Sequence, residues 1–324
     1  MTHAYDPDLL PYVELMSGGD LNDVAATRKW LDDMAASGSG SVLRDPSVEV
    51  RSIGVPGPAQ AVDVLVRVHT PPGRQRARPA LLYIHGGAFV VGSAAGSDII
   101  CSQIAAQVDA VVIAVDYRLA PEDPFPAGLE DCYAALIWVH QHCDTIGVDP
   151  HRIAVGGESA GAGLAAALAL LARDRGGPVI AMQMLITPEI DDRLETLSMR
   201  TFTDTPGWAR PNAILSWSYY LNRDPDADNS GTSPYAAPAR AQDLGGLPPT
   251  YLTAYEFDPL RDEDLEYGNR LIQAGVPTEM HLYPSVFHGC TNVLGLAITE
   301  RIVDDMMGAL IRAFRPSRLP AAVD

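Results

Sequence analysis

Five residues, Gly157-Glu158-Ser159-Ala160-Gly161, carry the strongest chemical signal in this chain. They fit the G-x-S-x-G pattern of a nucleophile elbow, in which a strand turns so tightly into a helix that the serine is left exposed at the sheet edge. Such a turn has no room for bulk two residues before or after the serine, which suits Gly157 and Gly161. A hydroxyl is a poor nucleophile at neutral pH, so Ser159 needs a base, and the base needs an acid to orient it. Downstream, Glu256-Phe257-Asp258-Pro259-Leu260-Arg261-Asp262 and Phe287-His288-Gly289 each follow an apolar run with strand character. Serine, acid and histidine thus follow one another along the chain, each just after an apolar run. Two acids compete for the middle role. Asp258 lies nearer the strand end, with Pro259 suited to the first turn of the next helix, whereas Asp262 falls inside that first turn, where the helix dipole favours a negative charge for stability alone.

Upstream, His85-Gly86-Gly87-Ala88-Phe89 follows another apolar run. Small residues there let backbone N–H groups converge on one point, an arrangement able to hold an oxyanion. Asp116-Tyr117-Arg118-Leu119-Ala120-Pro121-Glu122 is expected to act structurally, fixing a loop beside the site through Arg118, Pro121 and Glu122.

The elements that must position these groups are legible as patterns. Val48, Val50 and Ile53, then Val62, Val64, Val66 and Val68, alternate with polar residues, as two amphipathic antiparallel edge strands would. Residues 80–84, 110–115, 153–155, 179–186 and 250–254 are continuous apolar runs, expected of strands covered on both faces. Helical stretches at 97–108, 129–143, 160–172 and 262–273 lie between them, and a strand at 278–283 with a helix from about 291 to 314 completes eight strands. The expected fold class is α/β, a mostly parallel sheet flanked by helices. Residues 1–45 read as a helical appendage ending in Ser37-Gly38-Ser39-Gly40. The rhythm also fails between about 189 and 238, which reads as a helical insertion over the sheet.

Composition narrows the function. The 324 residues include 41 acidic and 23 basic ones, a formal charge of -18 that repels phosphate backbones and anionic lipid surfaces. Neither nucleic acid nor stable membrane association is expected. The N-terminus lacks a signal-peptide pattern and no apolar run reaches membrane-spanning length, so the chain reads as soluble and cytoplasmic, with Cys101, Cys132, Cys143 and Cys290 reduced. Two tempting motifs fail. Gly161-Ala162-Gly163-Leu164-Ala165-Ala166 fits a dinucleotide fingerprint, but its glycines fall inside the helix and the expected acid after the next strand is missing. His140 and His142 in His140-Gln141-His142-Cys143 point about 200° apart on a helix, leaving too few ligands on one face for zinc. No metal or cofactor is expected.

Together, the segments at 85–89, 116–122, 157–161, 258–262 and 287–289, in this order, resemble the bacterial hormone-sensitive-lipase-like esterases of the α/β-hydrolase superfamily. The resemblance spans about residues 48–290. It implies Ser159 as nucleophile, His288 as base, Asp258 as orienting acid, and an oxyanion hole from the N–H groups of Gly86, Gly87 and Ala160. It also implies that residues 1–45 and 189–238 form a helical cap on a catalytic domain spanning 46–324, and that short- or medium-chain acyl esters are the substrates. Substrate contacts are expected from His85, Ala88, Phe89 and Glu158 beside the serine and from Phe202 and Trp208 in the insertion. Ala88 stands where a third glycine is usual, which leaves the donors in place and narrows the room for branched alcohols. Glu158 stands where many relatives have aspartate, and no catalytic role is assigned to it. The alternatives are an amide, carbamate or acetylated natural product as substrate, or a non-catalytic receptor like the plant gibberellin receptors, which lack the histidine that His288 supplies here. The last strand, expected at a sheet edge, is where two molecules could pair as a homodimer.

Overall fold

A computed structural model describes residues 3–16, 21–36, 44–58, 62–73 and 77–315. Its eight strands are β1 (Glu49–Val55), β2 (Val64–Thr70), β3 (Arg78–Ile84), β4 (Val111–Asp116), β5 (Val148–Glu158), β6 (Met182–Ile186), β7 (Thr250–Phe257) and β8 (Thr278–Phe287). They form one sheet in the order β1-β2-β4-β3-β5-β6-β7-β8. β2 runs antiparallel to both β1 and β4, and every other neighbouring pair is parallel. The helices are α1 (Val24–Ala36), α2 (Asp98–Val108), α3 (Ala127–Gln141), α4 (Cys143–Ile146), α5 (Ala160–Asp174), α6 (Leu197–Thr201), α7 (Arg210–Leu221), α8 (Arg261–Gln273) and α9 (Ala297–Ala313).

The continuous apolar runs are explained by cores on both faces. Leu82 and Ile84 of β3 pack with Val155 of β5 and the helices α3 and α5, while Leu81 and Tyr83 face Ile104 of α2 and Met306 and Leu310 of α9. Successive strand residues alternate sides, so a strand with a helix layer on each side needs apolar residues throughout. Helix α5 is buried at every residue from Ala160 to Ala172, as a helix without a polar face must be.

Several expected boundaries move; the strand expected at 153–155 spans Val148–Glu158, and the one expected at 278–283 runs on to Phe287. Val179 is exposed after Gly176-Gly177-Pro178, and the strand there begins at Met182. Val62 is likewise exposed, and β2 begins at Val64. The last helix starts at Ala297 instead of near Thr291, because a short 3₁₀ turn at Cys290–Asn292 and the left-handed Gly295 (φ 81°) intervene. The stretch Ser37–Gly40 lies outside the described residues. All four cysteines are free and buried. Among the described residues no helix is long and apolar enough to cross a membrane, and no group of histidine, cysteine and acidic side chains has metal-site geometry. His142 stacks on Trp138 at the end of α3, and Cys143 Sγ donates to the Val139 carbonyl.

Candidate active site

The parallel strands all end at one edge of the sheet, and the turns leaving β3, β5, β6, β7 and β8 meet there. Ser159, between β5 and α5, has φ 53° and ψ -126°. A non-glycine residue adopts that conformation only when its surroundings enforce it. Here they do: a Cβ on Gly157 would lie 2.1 Å from the Ile84 carbonyl oxygen, and one on Gly161 would lie 2.1 Å from the same atom. The elbow is thus clamped against the end of β3. The Ser159 N–H donates to the Ile186 carbonyl at 2.9 Å, tying the elbow to β6 as well.

His288 Nδ1 lies 2.7 Å from Asp258 Oδ2, and His288 Nε2 lies 2.9 Å from Ser159 Oγ. A carboxylate only accepts, so Nδ1 carries the proton and Nε2 is left to accept from the serine hydroxyl. All three side chains are buried. Asp258 is itself held, since its Oδ1 accepts from the Leu260 N–H at 2.9 Å just before α8 begins. Asp262 lies elsewhere. Its Oδ2 accepts from the Ser198 N–H at 2.7 Å, and its own N–H donates to Ser198 Oγ, so it joins α8 to α6 in the insertion. Burial by itself would lower the pKa of His288, but the Asp258 carboxylate, with Glu158 and Glu189 beyond it, raises it above the ordinary imidazole value.

Gly86 lies against the serine: a Cβ there would be 3.1 Å from the Glu158 carbonyl oxygen and 3.3 Å from Ser159 Cβ. His85 sets the direction of the following peptide. Its ring stacks on Tyr117 at 4.3 Å, and its Nδ1, 2.8 Å from the Gly86 carbonyl oxygen, must donate to it. A trans peptide points its C=O and N–H in opposite directions, so holding the Gly86 carbonyl fixes where the Gly87 N–H points. Burial lowers the His85 pKa and keeps the ring neutral. The Ala160 N–H belongs to the first turn of α5, where the helix dipole favours negative charge. Ala88 (φ 57°) and Phe89 (φ 59°) continue the loop in left-handed conformations. The Ala88 carbonyl accepts from Ser216 Oγ on α7, and Phe89 stacks on Tyr220 at 4.0 Å.

Of the remaining expected contacts, Trp208 lies 6.0 Å from the His288 ring, centre to centre. Phe202 packs instead in a ring cluster with His3 and Phe257, under the guanidinium of Arg261. Glu158 is half-buried with its Cγ beside Gly86, and burial raises its pKa. In the Asp116–Glu122 segment, Asp116 accepts from the Ala94 N–H, Arg118 pairs with Asp131 at 2.7 Å, and Glu122 pairs with Arg28 of α1 at 2.8 Å.

Sequence reasoning missed Glu189, which is fully buried and donates its backbone N–H to the Ser159 carbonyl at 3.2 Å. Its position three residues after β6, at the edge that presents the serine, is the signal that could have found it. It also missed Gly92, which abuts the nearby His85-Gly86 segment, and Gly207, whose contact with His288 lies far along the chain.

A model of the alpha/beta hydrolase fold family matches residues 81–292. Esterase LipI of Mycobacterium tuberculosis is 40% identical over 261 residues, which cover 79% of this chain and 79% of that protein. Among solved structures, a bacterial heroin esterase is 45% identical with a TM-score of 0.91, covering 97% of this chain and 99% of the other. Esterase LipW from Mycobacterium marinum is 34% identical with a TM-score of 0.86, covering 97% of each. The order of strands, the clamped elbow at Ser159 and these matches lead to one statement: the chain belongs to the hormone-sensitive-lipase-like esterases of the α/β-hydrolase fold family.

Proposed function

We propose that this protein is a serine carboxylesterase in which Ser159 is the nucleophile, His288 the general base and Asp258 its orienting acid. The observation that carries the reading is the unbroken chain from Asp258 through His288 to a hydroxyl held in an enforced backbone conformation. Ser159 Oγ attacks the ester carbonyl while its proton passes to His288 Nε2. The carbonyl oxygen takes up the negative charge opposite the N–H groups of Gly86, Gly87 and Ala160. As the tetrahedral intermediate collapses, the C–O bond to the alcohol breaks and the alcohol leaves with the proton from His288. Water, deprotonated by the same imidazole, then frees the acid and restores the serine. Each step uses only this chain's residues, the ester and water.

Residues 1–45 and the insertion at about 189–238 act as a cap that shapes substrate choice. Supporting this, Leu21, Met199, Trp208 and Ala213 pack with Ala88, Val90 and Val91 of the oxyanion loop in one apolar cluster. Arg28 also donates to the carbonyls of Val90 and Ala120. Short- to medium-chain acyl esters are the preferred substrates, with the names of two relatives, a heroin esterase and an ethyl acetate hydrolase of Pseudomonas putida (34% identical over 226 residues), as support. β8, an edge strand with Met280 and Leu282 exposed, is the surface for a homodimer, and the buried free thiols suit a reducing, cytoplasmic setting. The test of the central reading is Ser159→Ala: turnover of p-nitrophenyl acetate and labelling by a fluorophosphonate should both vanish while the circular dichroism spectrum persists. Residual turnover within tenfold of wild type would overturn the assignment.

A further inference from the structure

Two neighbouring peptides close the loop that leaves β3, and both hold the same atom. The N–H groups of Val90 and Val91 donate to the Gly87 carbonyl at 2.9 Å and 2.8 Å. Each of these N–H groups shares a rigid trans peptide with a carbonyl that points the opposite way, that of Phe89 for the first and that of Val90 for the second. The Phe89 carbonyl accepts from the Ala120 N–H at 2.9 Å, an anchor in the loop after β4. The Val90 carbonyl accepts from Arg28 Nε at 2.9 Å, an anchor on α1 of the N-terminal segment. Of the two peptides that fix the Gly87 carbonyl, one is thus held by a loop of the sheet and the other by a side chain from outside it.

Arg28 holds more than one atom there. Its Nη2 donates to the Ala120 carbonyl at 2.8 Å, and its Nη1 and Nη2 take the two carboxylate oxygens of Glu122 at 2.9 Å and 2.8 Å. A planar guanidinium can meet a carboxylate and two backbone carbonyls at once, which the point charge of a lysine cannot. Val90 and Ala120 are buried, so carbonyls that lost Arg28 would have no ready water in its place. The segment that carries α1 is docked by other contacts as well. Leu21, Val24 and Leu31 pack with Ala88, Val90, Val91 and Trp208, and the Tyr219 hydroxyl donates to the Leu21 carbonyl at 3.2 Å. Arg28 is therefore not needed to attach the segment; what it adds is a fixed direction for the Val90–Val91 peptide.

We propose that Arg28 is a positioning residue of the reaction: through the Val90–Val91 peptide and the Gly87 carbonyl it sets the Gly86 and Gly87 N–H groups that receive the oxyanion. This rests on the serine esterase reading and adds to it a residue that acts only through the loop. Its effect belongs to the transition state. A ground-state carbonyl leans weakly on these donors, whereas the oxyanion of the tetrahedral intermediate needs them at hydrogen-bond distance, so a small misplacement lowers kcat and leaves KM nearly as it was. A residue that only attached α1 would behave differently. Its loss would lower the melting temperature and alter KM, while kcat on a simple ester stayed the same.

The experiment measures kcat and KM for p-nitrophenyl hexanoate and the inhibition constant of pentyl trifluoromethyl ketone in wild type, Arg28→Met, Arg28→Lys and Lys29→Met. The ketone carries the same pentyl group as the ester and mimics the tetrahedral intermediate: Ser159 Oγ bonds its carbonyl carbon, the hydroxyl proton passes to His288, and the carbonyl oxygen becomes an alkoxide facing the Gly86 and Gly87 donors. Arg28→Met should lower kcat by about tenfold or more with KM changed by less than about threefold, and should weaken the ketone by the same factor as kcat/KM. Arg28→Lys should fall between the two, since its ammonium cannot hold both carbonyls and the carboxylate together. Lys29, next along α1, is exposed and paired with Asp33, so Lys29→Met removes the same charge and should leave the kinetics and the inhibition unchanged. An unchanged kcat in Arg28→Met, a loss of kcat that the ketone does not share, or an equal loss in Lys29→Met would overturn the proposal. If Arg28→Met does not fold, Arg28→Lys decides alone, and wild-type kcat and ketone affinity there would overturn it. In each of these cases an inactive Ser159→Ala leaves the serine mechanism standing, whereas turnover by Ser159→Ala removes the reading on which the proposal rests.

Discussion

Gly207 and His288 are in backbone contact so close that a Cβ on Gly207 would lie 1.9 Å from the His288 carbonyl oxygen. Gly207 has φ 72°, a conformation that disfavours side chains, and its N–H donates to the Met16 carbonyl at 2.6 Å. The N-terminal segment, the insertion and the histidine loop are therefore stacked at one point. The position of the His288 imidazole depends on segments outside the Asp258–His288–Ser159 hydrogen-bonded chain.

Gly207→Ala should push the histidine loop away from Ser159 and lower kcat by roughly a hundredfold, the scale expected when a reacting group is displaced by about 1 Å. Gly275→Ala is the control, because Gly275 also has positive φ (79°) but nothing within 4 Å of its missing Cβ. It should lower the melting temperature by the equivalent of about 1 kcal/mol and leave kcat unchanged. Steady-state kinetics and thermal melts on both variants decide the matter.

Gly92 plays the equivalent part for the oxyanion loop. A Cβ there would lie 2.5 Å from the Gly86 carbonyl oxygen and 2.7 Å from His85 Nδ1, the two atoms that orient the Gly87 peptide. Gly92→Ala should therefore cost about 10²–10³ in kcat, comparable to losing one oxyanion donor, with a smaller change in KM. An unchanged kcat would show that the His85 bond does not orient the donor.

Asp258→Asn and Asp262→Asn should separate cleanly. The first leaves the geometry but removes the acceptor that keeps the proton on His288 Nδ1, so kcat should fall by about 10⁴. The second weakens the link to Ser198 in α6 and should cost about 1–2 kcal/mol of stability with little loss of rate. Reversed kinetic losses would reassign the orienting acid.

The rate should depend on pH through His288, which acts as a base only when neutral. Its pKa is raised by Asp258 and the acids beyond, so activity is lost as pH falls through a value above the ordinary imidazole pKa of about 6.5. The acid limb of kcat/KM on a neutral ester should inflect above that value.

Stability should run the other way. Glu189, Glu263 and Asp264 are buried acids whose pKa values burial raises above their unfolded ones, Glu189 to about 8. Folding favours their protonated forms, so their contribution is full below the unfolded carboxyl range of about 4 and is lost as pH rises, through about 8 for Glu189. Melting temperature should decline from pH 6 to 9, and Glu189→Gln should flatten that decline. A profile of the same slope in the variant would mean that Glu189 does not titrate in this range.

Much of the fold was readable because its signals are local. Periodicity marks the strands of the sheet, and a doubly covered sheet demands the unbroken apolar runs at β3 to β6. The elbow was equally local as a pattern, although the crowding that forbids bulk at Gly157 and Gly161 comes from the Ile84 carbonyl at the end of β3. Topology extended this to Asp258 and His288, since the carboxyl ends of parallel strands share one edge. Boundaries were less legible. Val179 is apolar enough for a strand but sits exposed after two glycines and a proline, and no local pattern separates those cases.

What only the tertiary structure decided are close approaches between segments distant in sequence. Gly207 looks like any loop glycine until His288 is placed beside it, and Gly161 owes its lack of a side chain to the Ile84 carbonyl oxygen 2.1 Å from its missing Cβ. Glu189 reads as an ordinary charged residue in a polar insertion. Its burial and its place behind Ser159 follow from how β6, α7 and α8 pack around it. The sequence by itself determined which atoms could perform the chemistry, because their types and the strand ends that carry them are local properties. The packing of distant segments decided where those atoms are held and what surrounds them, because steric exclusion and desolvation depend on neighbours in space.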